Sequence, residues 1–141
     1  MTVNQISIFL ENKYGKLCEI LELLSAANIR IIAATVADTS EYGILRIIVS
    51  DPERAYEVLK NNNVSANLTD VLAIATDSNA SSFAQTLSYF TKAGVSIEYM
   101  YCFSLKGKSI LILRTNNRNA AREVIRRQNI EYIHEADLLN M

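Results

Sequence analysis

The sequence predicts an α+β protein of two tandem βαββαβ modules of the ferredoxin-like type, each an antiparallel sheet with its helices on one face. Three observations carry this. Sliding the chain along itself by 66 positions, the distance from Ile8 to Ile74, sets Leu21 on Leu87, Ala27 on Ala93, Ile31 on Ile97 and Ile44-Leu45 on Ile110-Leu111. The same shift aligns Ala55, Glu57 and Val58 with Ala121, Glu123 and Val124 without a gap. Within each half, apolar residues switch between the two-residue period of a strand and the 3.6-residue period of a helix. Turn-forming clusters mark the switches.

In the first half Ile6, Ile8 and Leu10 alternate with Ser7 and Phe9, which predicts an opening strand. Glu11 to Lys16 is polar and contains Gly15. Leu17, Ile20, Leu21 and Leu24 then recur on one helical face. The helix stops near Ala27-Asn28, since asparagine tolerates the left-handed turn that ends helices. Ile29 to Ala37 carries the branched and small residues of a second strand. Asp38 to Gly43 is a turn cluster, and Ile44 to Val49 returns as a third strand antiparallel to the second.

Asp51-Pro52-Glu53 supplies a capping carboxylate, a proline in the first helical turn and an acid that suits the helix dipole. Ala55, Val58 and Leu59 face the sheet, Asn61-Asn62-Asn63 ends the helix, and Val64, Ala66 and Leu68 make a short fourth strand. The second half repeats the order. Its strands lie near Val71 to Thr76, Val95 to Ser104, Lys108 to Thr115 and Ile130 to His134, and its helices near Ser81 to Ala93 and Asn119 to Gln128. Asn116 or Asn117 takes the place of Asp51. The boundary falls at Asp70, giving modules 1–70 and 71–141. With both helices on one face, the other face of each sheet is expected to be uncovered.

At 141 residues the chain accommodates two units of ferredoxin size, and 50% hydrophobic against 21% charged residues supports a core in each. A net charge of −1 with mixed signs gives no attraction to nucleic acid or anionic lipid. No apolar run reaches the ~18 residues of a membrane span, and Met1 to Gln5 lacks the opening of a secretion signal, so a cytoplasmic protein is expected. Cys18 and Cys102 have no CxxC spacing and read as buried, reduced thiols.

The run Ile6-Ser7-Ile8-Phe9-Leu10-Glu11-Asn12-Lys13-Tyr14-Gly15-Lys16-Leu17, followed by Ala27-Asn28-Ile29-Arg30-Ile31, resembles the opening half of an ACT domain. Tyr14 stands where that family usually has proline, and Arg30 where it often has asparagine. In the second repeat Ala80-Ser81 replaces Pro-Gly, Ser96 stands opposite Arg30, and Ala93-Gly94-Val95 keeps the helix-ending glycine. The resemblance covers nearly the whole chain. It implies a non-enzymatic regulatory module that binds an amino acid at a seam between paired ACT domains, against the first strand-to-helix loop. On this reading the ligand residues are Glu11, Asn12, Lys13, Tyr14, Gly15, Lys16, Leu17 and Arg30. Asp77, Ser78, Asn79, Ala80, Ser81 and Ser82 are their counterparts in the second repeat. Amides of Gly15, Lys16 and Leu17 can receive a carboxylate, and oxygens of Glu11, Asn12, Asp77, Ser78 or Asn79 an ammonium. Gly15 also fits a plain turn glycine.

Tyr99, Tyr101 and Phe103 alternate along one strand, so their rings share a face and either stack on an aromatic ligand or fill an interface. Arg118, Arg122 and Arg126 recur every four residues and read as a solvated helix face. His134 is the only histidine and has a structural reading. Neither a metal nor a cofactor is expected, and no P-loop, GxSxG, GxGxxG or HExxH motif is present.

The expected role is therefore a sensor that signals to a separate enzyme or transporter, with self-association into an oligomer. The alternative is an assembly module of the same fold that binds no metabolite. A small enzyme relying on Cys18, Cys102, His134 or a carboxylate is a third reading.

Overall fold

The computed structural model describes residues 2–11, 15–38 and 42–141, and in them the elements follow the predicted order except around Asp70 and after Arg127. These are β1 (Thr2–Glu11), α1 (Lys16–Ala26), β2 (Ile31–Asp38), β3 (Tyr42–Val49), α2 (Pro52–Asn61), β4 (Ala66–Thr76), α3 (Ala80–Lys92), β5 (Ile97–Leu105), β6 (Lys108–Thr115), α4 (Arg118–Arg127) and α5 (Glu135–Leu139). They form two compact units. The first comprises Asn4–Thr69 with Ala136–Met141, and the second Asp70–Glu135 with the residues up to Val3.

In the first unit the strand order is β2-β3-β1-β4, with β1 and β2 both antiparallel to β3. Alternation decides which side chains meet the helices. Ile6, Ile8, Leu10, Leu45 and Ile47 form a core with Ile20 and Leu24 of α1 and Ala55 and Leu59 of α2. Each fully buried Leu or Ile contributes roughly 1.5–3 kcal/mol of transfer free energy. In the second unit the order is β4-β6-β5, and Leu72, Ile74, Leu111 and Leu113 pack on Phe90, Ala121, Val124 and Ile125. The helix-free faces are not open at their centres, since Ile48, Ile110 and Ile112 are buried.

Helix ends follow from local chemistry. Asp51 accepts from the Arg54 N–H at 3.2 Å, Asn79 from Ser82 at 2.8 Å and Asn117 from Ala120 at 3.0 Å, each satisfying an amide that a helix start leaves unpaired. All four long helices stop alike. Asn28, Asn63, Gly94 and Asn129 hold positive φ, and the next residue's N–H returns to the carbonyl five positions back. The apolar pairs Ile29–Leu24, Val64–Leu59, Val95–Phe90 and Ile130–Ile125 accompany the bond, which is the Schellman arrangement.

Two predicted strands differ. The short fourth strand of the first half and the opening strand of the second are one continuous β4, because nothing between Leu68 and Val71 breaks extended backbone. Ile130 to His134 makes only a single antiparallel bridge, Ile74 to Tyr132, flanked by bonds from Ala75 N–H to Glu131 and from Ile133 N–H to Ala73. The chain then turns into α5, whose Leu138 is buried.

The arginine stripe is not uniformly solvated. Arg118 pairs with Asp70 and Arg126 donates to Glu123 at 3.0 Å, while half-buried Arg122 reaches Thr2 Oγ1 at 3.5 Å. Its Nε is buried and lacks a partner among the described residues. Both cysteines, expected buried, are exposed. Cys18 lies off the Ile20–Leu24 stripe, and Cys102 sits on β5, which closes the order of its sheet and has one neighbouring strand.

Candidate functional site

Gly15 closes the turn into α1 with φ 85°, a left-handed conformation that glycine adopts without side-chain strain. Its carbonyl accepts from the Glu19 N–H at 3.1 Å, and no side chain among the described residues caps the helix. The first-turn amides of Lys16, Leu17 and Cys18 thus have no acceptor within the helix, and the positive end of its dipole points the same way.

Gly15, Lys16 and Leu17 line a cavity of about 150 Å³ together with Leu10, Glu11, Val36, Asp38 and Gly43. The strand order explains the assembly. Strand β1 ends where β3 begins and β2 finishes, with Leu10 opposite Gly43 and Gly43 opposite Asp38. A Cβ on Gly43 would stand 3.5 Å from the Ala37 carbonyl oxygen and 3.6 Å from Leu10 Cβ, in ordinary contact. The cavity is lined by the first turn of α1, two carboxylates in Glu11 and Asp38, and an apolar surface from Leu10, Leu17 and Val36. A helix start can receive an anion and carboxylates a cation, so the lining offers groups of both kinds.

Of the expected ligand residues the structure brings together Glu11, Gly15, Lys16 and Leu17. Asn12, Lys13 and Tyr14 lie outside the described residues. Arg30 is at the far end of α1, roughly 16 Å away for an eleven-residue helix. Its guanidinium donates to the carbonyl oxygens of Met141 and, at 3.2 Å, Leu139, and its backbone N–H donates to Ser50 Oγ at 2.9 Å. Sequence reasoning missed Asp38 and Gly43, which it had read only as the ends of a turn. The strand order 2-3-1 was the available signal, because it carries that hairpin end to the end of β1.

The second unit is built differently at the same place. Asn79 caps α3 through Ser82, and Ser78 Oγ lies 2.9 Å from the hydroxyl of Ser109, the counterpart of Gly43. Asp77, Ala80 and Ser81 are exposed around them. Tyr99 and Tyr101 are half-buried and stand opposite Arg114 and Ile112. Helix contacts in this unit use Leu111 and Leu113, so the tyrosines occupy the opposite face of the sheet from α3.

A second pair of hollows obeys the repeat. Leu21, Ser25, Asn28, Ile29, Arg30 and Ile31 line about 420 Å³ with Leu24, and Leu87, Thr91, Gly94, Val95, Ser96 and Ile97 line about 450 Å³. Both are shallow and lack paired carboxylates. Among the described residues no cluster of three or more histidine, cysteine or acidic side chains is placed to hold a metal, and no helix is long and apolar enough to cross a membrane.

A family model described as an ACT domain pair matches residues 1–141. The chain is similar to a solved protein from Bacteroides thetaiotaomicron at 38% identity, with 100% of this chain and 98% of that one covered and a TM-score of 0.95. The regulatory subunit of aspartate kinase from Thermus thermophilus shares the fold at 15% identity and TM-score 0.63, over 88% of this chain and 91% of that one. Its Thermus flavus counterpart matches at 16% and 0.60, over 88% and 90%. A search of curated proteins found no match.

Proposed function

The chain belongs to the family of ACT domain pairs, and from that premise we propose that it is a non-enzymatic regulatory protein that binds a free amino acid at the start of α1 and relays occupancy to a separate protein. The observation that carries the reading is a coincidence of features. A helix start with no side-chain cap among the described residues, two carboxylates and an apolar surface converge on one cavity. Among the described residues the cavity measures about 150 Å³. The shared fold with aspartate kinase regulatory subunits supports a partner of the same kind, a metabolic enzyme whose activity an amino acid adjusts.

The test is a thermal-shift screen of the twenty common amino acids. A ligand at 100 times its dissociation constant stabilises the native state by about 2.7 kcal/mol. A shift with an amino acid that falls to about half in Asp38→Asn supports the reading. Silence from all twenty at millimolar concentration overturns it.

A further inference from the structure

We propose that Arg30 is the latch of a terminal strap: its guanidinium holds α5 closed on the first unit, and the strap can be released while the rest of that unit stays folded.

The repeat separates what the fold asks of position 30 from what the side chain adds. Arg30 N–H donates to Ser50 Oγ at 2.9 Å, and Ser50 N–H returns to the Arg30 carbonyl at 2.9 Å. Their counterparts in the second repeat, Ser96 and Asn116, make the same clasp. Ser96 N–H donates to Asn116 Oδ1 at 2.9 Å, and Asn116 N–H to the Ser96 carbonyl at 3.1 Å. A serine therefore suffices for the backbone. The arginine side chain does something else: it donates to the carbonyl oxygens of Met141 and, at 3.2 Å, Leu139.

Those carbonyls end a helix that cannot hold itself. Helix α5 has five residues, too few for its internal bonds to repay the cost of starting a helix. Ala136, Asp137, Asn140 and Met141 are exposed, and Leu138 alone is fully buried. The second anchor is Arg30. It brings a fixed cation to the carbonyl end of α5, where the last oxygens lack intrahelical partners and the dipole is negative. One buried side chain and one clasp make a weakly tied segment, whereas Ile6, Ile8, Ile20 and Ile47 of the same unit are wholly buried. Release of α5 also frees the guanidinium at the rim of the hollow beside the α1 stop, which Arg30 lines. The equivalent hollow of the second unit has Ser96 there, with no guanidinium to release.

Backbone ¹⁵N relaxation on the full chain tests the latch. In the native protein the order parameters of Leu138 and Leu139 are expected near the roughly 0.85 of rigid backbone, and in Arg30→Ala below about 0.6, with Ile8 and Ile47 unchanged. Arg30→Lys is expected to restore order only in part, because a single ammonium lacks the planar fork that bridges two carbonyls. Unchanged order at α5 in Arg30→Ala overturns the proposal, and so does full restoration by lysine. Order lost at Ile8 and Ile47 together with α5 overturns it as well, since the strap would then not be separable. A double-mutant cycle in urea gives a second reading. Arg30→Ala and Leu138→Ala release the same strap, so together they are expected to lower the unfolding midpoint no further than the more damaging of the two alone; additive losses refute the shared release.

Discussion

Asp38 and Gly43 face each other across the final rung of the β2–β3 ladder, and both line the cavity at the start of α1. The carboxylate is thereby set beside a position with no side chain of its own. Replacing it by its neutral isostere isolates the charge. Asp38→Asn is expected to weaken amino-acid binding roughly tenfold, about 1.4 kcal/mol, by calorimetry. Because the residue is exposed, urea unfolding should move by no more than about 0.5 kcal/mol.

Gly15→Ala separates backbone from packing. No atom of the other described residues lies within 4 Å of the added Cβ, so the expected cost is that of the left-handed φ, roughly 1–2 kcal/mol in a denaturant titration. Gly15→Asn should recover part of that loss, because asparagine enters this region more readily.

Phe90→Ala is expected to destabilise the protein by about 3–5 kcal/mol. The ring is fully buried in the second unit's core and also packs at the α3 stop, whose last bond runs from Val95 N–H to its carbonyl. Circular dichroism during urea unfolding measures the loss, and a change under 1 kcal/mol would contradict the packing described.

Cys18 and Cys102 should both react with a thiol reagent in the folded protein, at rates that denaturant raises only slightly. Slow, denaturant-dependent labelling would place them inside instead.

Lys108 lies 2.8 Å from Glu131, and that hydrogen bond, reinforced by the opposite charge, holds its ammonium above the ordinary lysine value of 10.5. A folded value raised in this way contributes stability that is complete below 10.5 and lost as pH climbs through the raised value. Native protein should therefore lose stability in that alkaline window by a margin that Lys108→Met does not show, read from unfolding midpoints on either side of it.

Much of this fold was legible because it is local. The Asp51-Pro52 start, the asparagine and glycine stops and the Lys108–Thr115 strand follow from residues adjacent in sequence. The cavity was half legible: Gly15, Lys16 and Leu17 are contiguous, whereas Asp38 and Gly43 reach it only through strand order. Arg30 was drawn toward the loop by resemblance, yet α1 carries it the length of a helix away, where backbone carbonyls hold its guanidinium. The continuous β4 was not foreseen, since Thr69-Asp70 is as compatible with a turn as with a strand. Burial of the cysteines was misjudged because apolar neighbours in sequence point to the other side of a helix or strand.

Neither half of the sequence holds a complete unit. The first borrows Ala136–Met141, the second borrows the residues up to Val3, and Asp70 lies inside a strand. A gene cut at the midpoint would yield two fragments that each lack a terminal piece of the unit they resemble.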